Sequence, residues 1–499
     1  MDPSDASLLE RDIVTALERH DVVRAAELAG RYRRDTPVQN SDGDLEEALW
    51  FRARYLSARA DLASGQPSSA PEGLRPLLGV TRRLPASLAC HIHLLAEHEA
   101  LCASIIEDPR RPATAALPGV PTLEELQRAL PRGAVYVAPA LIGKDLFVLA
   151  VRNRASRVFQ YPDATAVIDR QLQGWRQRLL AQFRLYKKPS RLGPEHRCEL
   201  DSCLQALGEG PLGTALQVVW TDGAPGERLV WSPGAGLAGL PVHALRRGGR
   251  YLIEDHEVVQ AFCGGLFVQH ARLCRPPRWR RRCALVVTGG AEKKLKLVEK
   301  EGEGVLAAFP GKSKHLRDGE ATREAIRPLL QRVGVAHFAC HAEFNQDEPL
   351  EARLKLPSGQ EWRALGWRAE PFAGLSLVTL SACRSGEVAT AAGGEVFGLV
   401  YGLLGAGVRA VIGGLWEIPD LETPPLMWRF YREPMTADLA TALARAQRET
   451  LADEGSSPFF WAVFALFGDA AALPAPGWLG RWWARRRQRR HASLYPAKS

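Results

Sequence analysis

Two residues 42 apart carry the chemistry that this sequence offers. His341 closes the apolar run Val335-Ala336-His337-Phe338-Ala339-Cys340, and Cys383 closes Leu375-Ser376-Leu377-Val378-Thr379-Leu380-Ser381-Ala382. Arg384-Ser385-Gly386 follow the cysteine as a turn-like exit. Each run has the length and branched side chains of a buried strand in a parallel sheet. Ligands and reacting groups collect at the carboxyl ends of such strands. A thiolate is the nucleophile of cysteine hydrolases, and a nearby imidazole raises its population or protonates the leaving amine. A buried structural cysteine and a capping histidine are the ordinary fate of either residue alone. Their joint placement at two strand exits favours catalysis, with Cys383 as nucleophile and His341 as general acid/base. Side chains alternate across a strand, which turns Cys340 away from the Cys383 side and leaves His337 a structural role.

The elements that must hold this pair follow from the pattern around it. From about residue 284, strands are expected at 284–287 and 408–412 beside the His341 and Cys383 runs. Helices are expected at 295–309, from the Thr322 cap through 333, and at 396–404, 426–431, 439–451 and 459–467. Upstream, 134–138, 146–151, 158–161 and 229–232 read as strands, with helices at 166–183 and 200–207. Alternation of this kind predicts an α/β domain with a mainly parallel sheet flanked by helices. Residues 1–115 read as helices alone, with Leu8, Leu9, Ile13 and Leu17, then Leu49, Trp50, Ala53, Leu56 and Ala60, at helical spacing. Paired helices of this size form an all-α helical-hairpin domain resembling tetratricopeptide repeats, although no clean repeat signature emerges. Pro109, Pro112, Pro118 and Pro121 mark a linker, drawn at 116–124.

Composition narrows the classes. At 499 residues, two or three domains are expected, and 46% hydrophobic with 24% charged residues describes a globular chain. No stretch reaches the roughly 18 uncharged apolar residues of a membrane span, and Met-Asp-Pro-Ser-Asp-Ala lacks the regions of a secretory signal. Nine cysteines, none in a Cys-x-x-Cys pair, imply reduced thiols in the cytoplasm and argue against a disulfide framework or zinc ribbon. His91, His98 and Cys102 near one helical face have ligand chemistry, but helix-surface histidines beside a buried cysteine are the commoner arrangement. Gly289-Gly290 lacks the lysine-serine/threonine ending of a phosphate loop. The formal charge is +9, of which residues 471–499 supply seven cations and no acid, leaving +2 for the rest.

His337-Phe338-Ala339-Cys340-His341-Ala342 and Leu380-Ser381-Ala382-Cys383-Arg384-Ser385-Gly386 are joined by further landmarks in a fixed order. Leu237, Leu240-Pro241 and Ala244-Leu245 come before them. Gly394-Glu395, Gly405-Ala406-Gly407, Gly414-Leu415-Trp416, Asp420, Thr423, Trp461 and Phe464 come after. In that order they resemble the CHAT family, caspase-like peptidases related to separase, metacaspases and caspases, over roughly residues 125–470. The resemblance implies a caspase-like fold, with a pseudo-protease-like part at 125–275 and a catalytic part at 284–470. It implies a cysteine endopeptidase that cleaves a partner protein and needs no cofactor or metal. In related enzymes backbone N–H groups at these loops hold the oxyanion, which here means Ala342 and Cys383. One such donor is worth about 3 kcal/mol at the transition state. Ala342 stands where the family often has glycine, and Arg384-Ser385 replace its common acidic or threonine residues. Relatives that cut after Arg or Lys often carry Asp where this chain has Ser381. The substrate-pocket candidates are therefore Ser381 and Ala382, with Asp347 and Glu348 as acids from elsewhere. By analogy, the 1–115 helices are a sensor or docking arm for a regulatory protein in prokaryotic defence or signalling.

Two other classes stay open from the residues. One is a catalytically silent CHAT scaffold that binds a protein partner. The other is an effector that binds nucleic acid through Arg275, Arg278, Arg280, Arg281 and Arg282 around Trp279 and through the basic tail. The same tail, with Trp478, Leu479, Trp482 and Trp483 beside six arginines, also has the composition of an anchor for an anionic membrane surface.

Overall fold

A computed structural model of the chain describes residues 121–473, apart from 143, 187–193, 221–222, 224–225, 234–236, 238, 263, 274–276, 278, 290–295, 310, 344–351, 364–366, 368–369, 371, 382–393, 417–422, 433–437 and 454–456. The expected helices of 1–115 and the tail beyond Leu473 lie outside the described residues. The linker drawn at 116–124 ends earlier than expected, because the helix Leu123–Ala129 starts inside it. Thr122 and Glu125 cap that helix reciprocally, each side chain taking the other's backbone N–H.

The strands are β1 (Ala134–Ile142), β2 (Asp145–Arg152), β3 (Ala155–Tyr161), β4 (Arg228–Trp231), the short hairpin β5 (Arg246–Arg247) and β6 (Arg250–Tyr251), and β7 (Val258–Gln260). Then come β8 (Ala284–Thr288), β9 (Lys314–Arg317), β10 (Val335–Ala339), β11 (His341–Glu343), β12 (Arg353–Lys355) and β13 (Glu361–Arg363). The last are β14 (Leu377–Leu380), β15 (Ala410–Gly414) and β16 (Phe464–Gly468). Eleven of them form one sheet in the order β3-β2-β1-β4-β7-β16-β15-β14-β10-β8-β9. Pairing is parallel except at β3/β2, β2/β1 and β16/β15. The fold is thus a mixed α/β domain around a mostly parallel sheet, and the strands of the 125–275 and 284–470 parts share that one sheet.

Every residue of β8, β10, β14 and β15 is buried, which is why these segments read as continuous apolar runs. The helices Lys296–Ala308, Thr423–Arg432 and Leu439–Leu451 pack side by side, and the first also lies against β8 and β10. Caps fix where they and their neighbours start. Thr322 accepts from Ala325 N at 3.2 Å to open Arg323–Leu330, and Asp438 accepts from Thr441 N at 3.0 Å to open Leu439–Leu451. Asp438 also meets Arg228 at the start of β4, at 2.8 Å.

The expected helix at 459–467 is a correction. Only Pro458–Trp461 is helical, and Phe464–Gly468 is strand β16, inserted between β7 and β15. A short apolar run bounded by turns does not distinguish buried helix from buried strand by periodicity, and here the sheet takes it. The helix from the Thr322 cap ends at Leu330 and not at 333, and β15 starts two residues later than expected. The short strands β7, β9 and β11 to β13 were not expected. Segments of three or four residues, such as Lys314-His315-Leu316-Arg317, are too short to establish a period of their own.

Candidate active site

The pair of strands that would carry the dyad lies side by side in the sheet interior. β10 and β14 are parallel neighbours, with Val335↔Leu377, Ala336↔Val378, His337↔Thr379 and Phe338↔Leu380 in register. That register is an offset of 42 residues, the same as the separation of His341 and Cys383. The ladder continues past β14, where Ser381 N donates to Phe338 O at 2.9 Å.

At the exit of β10 the chain turns into a second, three-stranded sheet, β11-β12-β13. His341 opens β11 opposite Lys355, and Ala342 lies opposite Leu354. His341 is partly buried and Ala342 buried. Trp362 of β13 packs on Phe372, which also meets Trp367, and these three buried rings back the small sheet. The β12–β13 turn needs Gly359, whose φ of 86° is a left-handed conformation unfavourable to other residues.

Beneath these exits lies a cluster of polar side chains that the sequence reading did not anticipate. His337 is fully buried in β10, with Nδ1 3.1 Å from Tyr431 Oη and Nε2 3.0 Å from Glu301 Oε1. The Nε2–Glu301 contact has the distance of an ion pair but lies off the line of a hydrogen bond. The Ser381 hydroxyl donates to the same Glu301 oxygen in a short hydrogen bond. Tyr431 donates to Thr379 Oγ1 at 2.7 Å. Burial pushes the Tyr431 hydroxyl's pKa well up, with the Thr379 bond opposing and the Glu301 charge adding to the rise. Glu301, only 2% exposed, falls on the apolar face of its helix between buried Val298 and Val305. An acid at i+3 and i−4 from two buried valines is the signal in the sequence that could have revealed it.

One step outward, Thr288 at the end of β8 meets His315 Nε2 at 2.7 Å. Burial, then the neighbouring charges of Arg317 and His337, lowers the His315 pKa to about 4. Gly302 lets the helix approach there: a Cβ would stand 2.8 Å from both His315 Nε2 and Thr288 Cγ2.

Cys340 is buried and its thiol is pushed up to about 12, so it is inert near neutral pH. Burial also raises the Cys203 thiol, with the Arg178 charge opposing. The Cys283 thiol donates to Trp279 O at 3.3 Å.

Of the site residues expected from the sequence, His341, Ala342 and Ser381 are placed as above. Ala382, Cys383, Asp347 and Glu348 lie outside the described residues. Ser381 is buried, with its hydroxyl committed to Glu301. In the basic cluster, Trp279 is 58% exposed, while Arg280 turns inward to donate to Val333 O at 3.1 Å and Leu330 O at 3.0 Å. Arg275 and Arg278 are outside the described residues. No helix among the described residues is long and apolar enough to cross a membrane.

Residues 201–469, more than half of the chain, match the CHAT domain family. No curated protein matches by sequence. Among solved structures, the Saccharomyces cerevisiae separase–securin complex at 2.6 Å is similar, with 9% identity and a TM-score of 0.51. That likeness covers 91% of this chain but 38% of the separase chain, so this chain spans well under half of its length. A second structure of the complex, at 3.0 Å, gives 10% identity, 90% and 37% coverage and a TM-score of 0.46. At such identity the likeness speaks for the caspase-like fold alone.

Proposed function

Because this chain belongs to the CHAT domain family and carries its caspase-like sheet, we propose that it is a cysteine endopeptidase that cleaves a partner protein. Cys383 is the nucleophile and His341 the general acid/base, with the backbone N–H groups of Ala342 and Cys383 holding the oxyanion. The observation that carries this reading is the register of β10 and β14. The two strands are parallel neighbours offset by the 42 residues that separate His341 from Cys383. Cys383 lies two residues beyond Ser381, a reach of at most about 7 Å. His341 lies three residues beyond Phe338, whose carbonyl Ser381 binds.

In the reaction, the Cys383 thiolate attacks the scissile carbonyl carbon and His341 gives a proton to the leaving amine. Water then releases the acyl group from sulfur. The cysteines whose side chains are described, Cys203, Cys283 and Cys340, offer no competing nucleophile: the Cys340 and Cys203 thiols are raised and the Cys283 thiol is hydrogen-bonded inside.

The separase of similar fold was crystallised in complex with securin. By analogy, a protein regulator docks on this chain, and residues 1–115 are its receiver in a prokaryotic defence or signalling system. The tail 471–499 is an accessory to the 125–470 peptidase domain.

The test is incubation of the full chain with proteins encoded beside it, looking for cleavage. Cys383→Ala and His341→Ala are expected each to abolish it while leaving the melting temperature unchanged. Near-normal cleavage by either variant overturns the dyad. Partner capture without cleavage by the wild-type protein would favour a silent scaffold instead.

A further inference from the structure

Ser381 is fixed twice. Its backbone N–H closes the β10/β14 ladder on Phe338 O, and its hydroxyl reaches across to Glu301 on the Lys296–Ala308 helix. The same carboxylate oxygen lies 3.0 Å from Nε2 of His337 in β10. Glu301, His337 and Ser381 are all buried, where the low local dielectric strengthens such contacts. A carboxylate placed among buried valines is costly to desolvate, and this one is spent on the last described residue before Cys383.

We propose that Glu301 is a positioning residue: through Ser381 it anchors the segment that carries Cys383, and so holds the thiol within reach of His341. The proposal rests on the Cys–His reading above. Ser381 stands two residues before the thiol, and misplacing a reacting group by about 1 Å can cost about 100-fold. Anchoring also gives Ser381 a different part from that of a pocket wall. A wall residue changes which substrates bind; an anchor changes how the thiol titrates whatever the substrate.

The test therefore needs no substrate. The full-length protein is alkylated with iodoacetamide across pH, and the rate at Cys383 is read by peptide mass spectrometry alongside the melting temperature. Wild-type Cys383, paired with His341, is expected to react with a midpoint well below the ordinary thiol value of about 8.5. Ser381→Ala is expected to move the midpoint towards about 8.5, slowing alkylation at pH 6.5 by about tenfold or more. Glu301→Gln keeps an oxygen that accepts the serine hydroxyl, and its rate is expected to stay within about twofold of wild type. Should Ser381→Ala fail to fold, Glu301→Met removes the acceptor at similar length and must give the same shift. A profile that overlays wild type in the folded Ser381→Ala or Glu301→Met protein overturns the anchor. A wild-type profile that His341→Ala leaves unchanged, together with near-normal cleavage by that variant, overturns the Cys–His reading itself, so the two failures are distinguishable.

Discussion

The phenol of Tyr431 is the most exacting test of the buried cluster, because Tyr431→Phe deletes one oxygen and keeps the ring. That oxygen lies 2.7 Å from Thr379 Oγ1 and 3.1 Å from His337 Nδ1, in a site where all three residues are essentially unexposed. With the tyrosyl hydrogen given to Thr379, its oxygen takes the Nδ1–H of His337. Removing it leaves two buried polar groups without that partner, at about 1–3 kcal/mol each. The desolvation saved by deleting the hydroxyl offsets part of this, leaving about 2–4 kcal/mol. Unfolding entropy of about 2.1 cal/mol/K per residue over the 121–473 stretch converts that to a fall in Tm of about 3–5 °C. Edge-to-face contacts of the ring with Phe309 and Phe430 are retained, so packing does not confound the reading. The assay is calorimetric or fluorimetric melting of Tyr431→Phe, Thr379→Val and the double variant. Thr379→Val should cost less in the Tyr431→Phe background, by about 1 kcal/mol, because the bond it removes is already gone. A Tyr431→Phe protein within 1 °C of wild type, or strict additivity in the cycle, refutes the claim that these groups depend on one another.

Four further outcomes are expected. Asp469→Ala strips the partner from Arg409, which is 3% exposed, and should destabilise the domain by about 3–5 kcal/mol in denaturant unfolding, whereas truncation after Leu473 should leave the fold and activity intact. His243 is fully buried against Ala462 O, and burial lowers its pKa to about 4. Below the unfolded value of about 6.5 the unfolded chain binds the proton first, so stability falls with pH. His243→Gln should remove about 2 kcal/mol of the loss between pH 7 and pH 5 in unfolding titrations. Cleavage should not require Arg or Lys before the scissile bond, because Ser381 is neutral and Glu301 is buried and engaged by His337. Peptide-library profiling that returns basic residues alone would show that another acid supplies the pocket's charge.

That β10 and β14 are strands of a parallel sheet was legible because a strand buried on both faces writes an uninterrupted apolar run, and both are such runs. His341 and Cys383 stood out as the polar residues that end them. What stayed hidden was set by contacts remote in sequence. Phe464–Gly468 became a strand because a gap between β7 and β15 needed filling, which no window of neighbours reveals. Glu301 and Tyr431 come from helices 80 residues before and 50 residues after Ser381, and only the packed fold brings Glu301 to that hydroxyl. Thr379 looked like one more β-branched core residue, and its hydroxyl acquired meaning only when Tyr431 arrived.

The polar cluster also bears on why β10 and β14 align as they do. An all-apolar pair of strands has little to distinguish one register from the next, since a slip exchanges one buried aliphatic side chain for another. His337 and Thr379 break that degeneracy: they are direct register partners, and one phenol, Tyr431, touches both. Sliding β14 by one residue would bury the Thr379 hydroxyl against the opposite, apolar face and leave His337 facing a hydrocarbon. Each displaced group would cost about 1–3 kcal/mol. The cost of burying the cluster thus returns as a unique register. In the sequence, His341 and Cys383 each stand four positions beyond His337 and Thr379, the register partners that Tyr431 ties together.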